Sequence, residues 1–338
     1  MKNRLHKLRN PVFIRAYAAV GGKKEGEGPL GELFDYIDRS DRFGKNTWEQ
    51  SEAESQAIAL NLALNKQGSS QEELDAVLAG DLINQCSSSS YGLMNFGTPF
   101  LGIFGACSTC AEGLLLSSFL IESGHFNSVG AVSSSHFCSA ERQFRAPVEY
   151  GGQRAPTSQW TVTGAGAFLL DCRVGRIRIG EALAGRIVDA GMNDPANMGA
   201  AMAPAAFDSI NAYFSESEKS PEDFDLILTG DLGREGHSII EDLSIRSGLH
   251  LKNCADCGMM IYGEEQDVHA GGSGCGCSAT VLAAKILPKM EKGEYKNVLF
   301  AATGALMSAD AVKQGLCIPG IAHLVTLTTE PLKKEERI

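Results

Sequence analysis

Two apolar runs with the same polar punctuation stand 150 residues apart, Leu74-Asp75-Ala76-Val77-Leu78-Ala79-Gly80-Asp81-Leu82 and Phe224-Asp225-Leu226-Ile227-Leu228-Thr229-Gly230-Asp231-Leu232. Neither alternates polar with apolar between its aspartates, and that pattern predicts strands of a parallel sheet covered on both faces. Gly105-Ala106-Cys107-Ser108-Thr109-Cys110-Ala111 likewise returns as Gly272-Ser273-Gly274-Cys275-Gly276-Cys277-Ser278. Each copy opens an apolar helical segment that ends in a glycine, Gly124 or Gly293, and a second strand, Val129 to Val132 or Val298 to Ala301, follows. The offset at these glycines and valines is 169, so an insertion of 169 − 150 = 19 residues lies between the two sets of matches. Elements repeated in one order predict two homologous α/β halves, residues 1–180 and 181–338.

The pattern between these marks is also legible. Ser51 to Gln67 reads as a helix with Ser51 as N-cap, Glu52 and Glu54 in its first turn, and Ala53, Ala57, Leu60 and Leu64 on its apolar face. Ser69 to Glu73 caps the strand that follows it, as Ser220-Pro221-Glu222-Asp223 does in the second half, with proline at a first helical position. Ala165 to Leu170 followed by Arg176 to Ile179, with Cys172 and Gly175 between them, predicts an antiparallel hairpin closing the first half. Val12-Phe13-Ile14 is the expected first strand and Ile321 to Leu327 the last, before a charged tail from Lys333 to Ile338.

Composition narrows the class. The chain has 338 residues, 43% hydrophobic and 21% charged, enough for a large core and unlike a disordered chain. No apolar run approaches the roughly 18 residues that span a bilayer, and the N-terminus lacks the apolar core of a signal peptide, so the protein is expected to stay in the cytoplasm where it is made. A formal charge of −11 argues against nucleic acid as a partner. Lys2, Arg4, Lys7 and Arg9 are the local exception, read as a solvated tail before the first strand or as a docking arm. Ten irregularly spaced cysteines fit a reducing compartment better than a disulfide scaffold.

Cys107 is the strongest candidate for chemistry. It lies between an apolar strand-like run, Phe100 to Phe104, and a helix beginning near Thr109, where helix amides favour a thiolate. Small neighbours, Gly105, Ala106 and Ser108, would admit a substrate close to the backbone. Cys107-x-x-Cys110 also has a redox spacing, and Cys254, Cys257, Cys275 and Cys277 could be written as a four-thiolate metal site, although the duplication already accounts for two of those positions. His136 ends the strand after the Cys107 helix and is the expected partner of the thiol. The polar loop beyond it carries Arg142, Arg145 and Arg154, a clamp for an anionic ligand.

These residues resemble the thiolase and ketoacyl-synthase superfamily. Phe104-Gly105-Ala106-Cys107 is similar to its nucleophile loop, Asn197-Met198-Gly199 through Pro204-Ala205 to the segment opening its second half, and Ala301-Ala302-Thr303-Gly304-Ala305 to its Gly-rich terminal loop. Within that superfamily, Gly28 to Gly31, Phe104 to Thr109, Ala140 to Arg145, Glu149 to Gln153, Ala201 to Ala206, Leu226 to Leu232 and Ala270 to Cys275 resemble the stage V sporulation protein AD family over nearly the whole chain. The resemblance implies duplicated α/β halves in a five-layer αβαβα sandwich, a homodimer, no cofactor, and a role in moving dipicolinic acid into the forespore beside membrane proteins of the same operon. Peripheral association with the forespore inner membrane follows from that role.

The superfamily's active members use cysteine with a histidine and a second asparagine or histidine. Here Asp231 stands where the first is expected and Ser273 or Gly274 where the other is, while His237 and His269 are out of register. A pocket that binds without condensing acyl groups is therefore expected, its ligand held by Cys107, His136, Arg142, Arg145, Asp231 and Ser273. The rival expectation is an acyltransferase or condensing enzyme using Cys107 as nucleophile with His136 or His237 as base.

Overall fold

The computed structural model describes residues 3–144, 154–173 and 175–329. Its strands are β1 Leu5–Gly21, β2 Tyr36–Ile37, β3 Ala76–Gly80, β4 Phe100–Gly102, β5 Ser128–Ser135, β6 Trp160–Thr161, β7 Gly164–Asp171, β8 Ile177–Leu183, β9 Leu226–Thr229, β10 Cys254–Asp256, β11 Gly272–Ser273, β12 Asn297–Ala305 and β13 Gly320–Thr328. Its helices are α1 Lys23–Gly26, α2 Trp48–Gln67, α3 Ser87–Leu93, α4 Thr109–Glu122, α5 Phe137–Phe144, α6 Met198–Glu216, α7 Gly233–Ser247, α8 Cys257–Met260, α9 Cys275–Val281, α10 Leu287–Glu291 and α11 Ala309–Lys313.

The strands run in the order β10-β9-β12-β13-β8-β1-β7-β5-β3-β4, with β2 beside β1 and a separate β6–β11 ribbon. Read outward from the β8–β1 contact, the two arms have the same plan, so β8 takes in the second half the place that β1 takes in the first. β8 itself runs across residue 180. In each arm the all-apolar strand pairs in parallel with the next one, β3 with β5 and β9 with β12, and that strand pairs antiparallel with the last, β5 with β7 and β12 with β13. This corrects the expected hairpin between residues 165–170 and 176–179. β7 and β8 lie on opposite sides of β1, each antiparallel to it, because the duplication makes β8 the start of a new unit rather than the end of the old one.

Local chemistry is duplicated with the topology. Ser70 with Glu73 and Ser220 with Asp223 form reciprocal capping boxes ahead of β3 and β9. Asp75 accepts from the amides of Asn127 and Ser128, and Asp225 from those of Lys296 and Asn297, so one carboxylate in each half pins the loop entering the neighbouring strand.

Helices complete the five expected layers. α2 covers the outer face of the first arm, where Leu60, Ala63 and Leu64 meet Ala16, Ala18 and Leu169. α6 covers the second, with Met202, Ile210 and Tyr213 against Leu183, Leu299 and Leu324. Between the arms lie α4 and α9, whose Leu114, Leu115, Ala279 and Val281 touch Phe168 and Leu170 on one side and Phe300 and Val325 on the other. Leu114 is fully buried, so truncating it to alanine costs about 2–5 kcal/mol. Past α9 the helix widens to π geometry over Leu282–Ile286, where Pro288 has no N–H to continue the ladder and its ring excludes the carbonyl of Ala284.

Two element boundaries differ from the expectation. α2 begins at Trp48, capped by Thr47, whose hydroxyl accepts from the amide of Gln50; Ser51 and Glu52 are then interior and buried. The Ser51 hydroxyl instead donates back to the carbonyl of Thr47. β1 begins at Leu5, so Lys7 and Arg9 belong to a strand rather than a tail, and Arg4 pairs with Asp208 at 2.9 Å. Among the described residues no helix is long and apolar enough to cross a membrane.

Candidate functional site

Cys107 sits where β4 gives way to α4, on a loop that its own hydroxyls hold shut. Ser108 Oγ donates to the carbonyl of Gly105 at 2.6 Å and Thr109 Oγ1 to that of Ala106 at 2.6 Å. Ala106 takes φ +50°, a left-handed conformation a non-glycine residue adopts at about 1 kcal/mol or more, and it turns Cys107 toward the opposite half. The C-terminal end of β12 backs this loop so closely that a Cβ on Gly304 would stand 2.4 Å from the carbonyl oxygen of Gly105 and 3.3 Å from the amide of Cys107. Glycine is required there by space, not by dihedral.

The second half supplies the floor. The β6–β11 ribbon pairs Thr161 with Ser273, which brings the Gly-rich loop under the thiol, and Ser273 Oγ lies 3.9 Å from Cys107 Sγ. Ser273 Oγ donates to Asp231 Oδ2 at 2.9 Å, the amide of Gly274 donates to the same oxygen at 2.9 Å, and Thr303 Oγ1 donates to Asp231 Oδ1 at 2.8 Å. Gln159 braces the arrangement from behind, its amide donating to the carbonyls of Asp231 and Gly272. Burial raises the Asp231 carboxyl to about 6, and these donors restrain a larger rise.

Burial also pushes the Cys107 thiol well above its ordinary value, and the Asp231 carboxylate adds to the rise. This overturns the expectation of a thiolate favoured by the start of α4: enclosure and a facing carboxylate outweigh the helix amides. The resting group is a thiol. The donors that would steady a reaction's oxyanion are already taken by a carboxylate that would repel one.

Above the floor is a narrow cavity of about 30 Å³. Leu82, Phe104, Ala140, Phe144, Met198 and Met307 form its apolar walls, while Cys107, Ser273, Thr161 and Glu141 contribute the polar surface. Thr161 Oγ1 donates to Glu141 Oε1 at 3.3 Å. Among the described residues lining it, none is basic.

Of the six residues expected to hold the ligand, the fold gathers Cys107, Asp231 and Ser273. It does not bring His136 to the thiol. The ring stands against Trp48, with Nε2 on the carbonyl of Asp41 at 2.8 Å and Nδ1 accepting from the amide of Cys138 at 3.2 Å, and burial lowers its pKa. Arg142 points outward and pairs with Glu49. Arg145 and most of the loop after it lie outside the described residues, whereas Arg154 stacks on Trp160 and donates to the carbonyl of Gln159. His237 faces Glu241 and His269 bonds the carbonyl of Ala155, so neither serves the thiol as a base. All ten cysteines are free, and no group of three or more His, Cys, Asp or Glu among the described residues could hold a metal. Thr303 and Glu141 stand out in the sequence only as members of the 301–305 and 140–145 segments, not as site residues, and Thr161 goes unread. Thr161 has no signal in the sequence, and the segment expected as a terminal loop at Thr303 and Gly304 is the end of strand β12.

Comparison with known proteins agrees with this geometry. The family described as Stage V sporulation protein AD (SpoVAD) matches residues 2–328. The stage V sporulation protein AD of Bacillus subtilis (strain 168) is 41% identical over 315 residues, covering 93% of each chain. Among solved structures, 3-oxoacyl-[acyl-carrier-protein] synthase III from Aquifex aeolicus superimposes with a TM-score of 0.58 at 16% identity, covering 93% of this chain and 99% of that one. A variant of Xanthomonas campestris OleA gives 0.62 at 14% identity, covering 96% and 100%. At such identities these two establish the thiolase-like fold alone.

Proposed function

Because this chain belongs to the stage V sporulation protein AD family, we propose that it binds dipicolinate in the Cys107 cavity, without acyl-transfer chemistry, and serves the machinery that moves that acid into the forespore. The observation that carries the non-catalytic half is Asp231. Its carboxylate consumes the Ser273, Gly274 and Thr303 donors beside a thiol that is protonated at rest. The ligand half rests on family membership and on the cavity's chemistry. Dipicolinate is a flat aromatic dianion that needs an apolar slot for its ring and donors for its carboxylates. Leu82, Ala140, Phe144 and Met307 offer the slot, while the Ser273 and Thr161 hydroxyls already donate to Asp231 and Glu141. We assign the cationic contact to an arginine of the loop between Phe144 and Trp160.

Docking to membrane proteins of the same operon, at the face of the forespore inner membrane, is part of the same reading. So is a homodimer. β4 is an edge strand, and Tyr91, Met94, Phe100, Leu101 and Phe104 leave a large exposed apolar surface on and beside it. Calorimetric titration with dipicolinate, using benzene-1,3-dicarboxylate as control, tests the ligand. Saturable heat that the control does not give is expected; equal heats, or none, would remove dipicolinate from the account.

A further inference from the structure

A second space adjoins the binding cavity. It measures about 570 Å³ and lies between the turn after β3, the end of α5 and the segment after β12. Its wall is mixed, with polar Asn84, Gln85, Gln143, Ser308, Asp310 and Lys313 beside apolar surface from Ile83 and Ala309. Leu82, Phe104, Phe144 and Met307 line both spaces, so these side chains are the partition between them. We propose that the outer chamber is the loading port of the Cys107 cavity and that Phe104, Phe144 and Met307 are its gate. The chemical class it passes is a small planar acid, met first by amides and hydroxyls and then by apolar walls. This rests on the cavity being a ligand site.

The partition is held by one clasp. The Asn84 amide donates to Gln143 Oε1 at 3.2 Å, and Gln143 Nε2 donates to Asn84 Oδ1 at 3.0 Å and to the carbonyl of Leu82 at 3.3 Å. The clasp ties the C-terminal end of α5, which carries Phe144, to the turn that carries Leu82. That turn is unusual in placing two successive non-glycine residues, Gln85 and Cys86, at φ +60° and +50°. Cys86 Sγ donates to the carbonyl of Ile103 at 3.3 Å, linking the same turn to the residue before Phe104. Three of the four partition residues are thus positioned by a turn held in a conformation that its surroundings enforce, and releasing Gln143 parts Phe144 from that turn.

Two measurements on the full chain test this, with Phe104→Ala, Met307→Ala and Gln143→Ala. In stopped-flow binding of dipicolinate, the association and dissociation rates both rise, by about tenfold, while their ratio moves less than either rate. Independently, methyl methanethiosulfonate modifies Cys107 faster in the variants: the thiolate attacks the thiosulfonate sulfur, a mixed disulfide forms and methanesulfinate leaves. Peptide mass mapping follows it, with the exposed Cys172 as an unchanged internal reference. Gln143→Ala removes only the clasp, so a folding failure in the wall variants leaves the test standing. If dipicolinate binds with unaltered rates and Cys107 labels no faster, the gate is overturned. If dipicolinate fails to bind but labelling is accelerated, the ligand reading falls and the gate stands.

Discussion

Replacing Asp231 by asparagine should make this protein more stable at neutral pH, and the size of the gain follows from the site. Asp231 is buried, and its carboxyl is raised from the ordinary 3.8 to about 6. A folded-state value above the unfolded one means that folding favours the protonated acid. Its contribution is fully present below 3.8 and is lost as pH rises through 6. With about 1.4 kcal/mol per tenfold, the ionised carboxylate costs about 3 kcal/mol at pH 7.5 and about 1 kcal/mol at pH 4.5. Asparagine keeps an acceptor for Ser273 and Gly274 but turns an NH₂ toward Thr303, losing one hydrogen bond worth about 1 kcal/mol. The variant should therefore match the parent at pH 4.5 and exceed it by about 2 kcal/mol at pH 7.5. Urea unfolding at the two pH values measures the difference. Equal offsets at both, or a variant several kcal/mol weaker at pH 7.5, would refute the claim that burial dominates at Asp231.

Other consequences separate space from strain and surface from core. Gly304→Ala should cost about 1–3 kcal/mol and weaken dipicolinate binding, because its Cβ would push the Cys107 loop from 2.4 Å away. Gly315→Ala is the contrast: φ is +79° and nothing stands within 4 Å, so thermal stability should fall slightly with binding unchanged. Leu101→Lys on the exposed edge strand should weaken the dimer by about 2 kcal/mol, about thirtyfold in dissociation constant by sedimentation, and a parent that is monomeric at every concentration would remove the dimer from the account.

Much of this architecture is legible in the chain because the duplication is written in elements whose chemistry is local. The Asp75 and Asp225 clamps, the two capping boxes and the glycines at 124 and 293 each act within a few residues or across one neighbouring strand. What escaped depends on long-range placement. A strand-end position sets which crevice His136 is near, but its ring is held by Asp41, 95 residues away. Glu141 and Arg142 are neighbours in sequence, yet one helical step of about 100° puts the first in the cavity and the second in solvent. The strands at 164–171 and 177–183 had the apolar content and spacing of a hairpin, and only the position of β1 between them shows that they belong to different halves. Cys107 was placed correctly at a helix start, but its protonation is set first by burial and then by Asp231 from the other half, which no local pattern encodes.

The most direct test of the central claim, a former acyl-transfer site that now holds a ligand without reacting, is a crystal structure grown with dipicolinate. The account predicts density for the acid in the cavity between Ala140, Phe144 and Met307, and an unmodified Cys107 thiol. A covalent adduct on Cys107, or the acid bound elsewhere with this cavity empty, would contradict it.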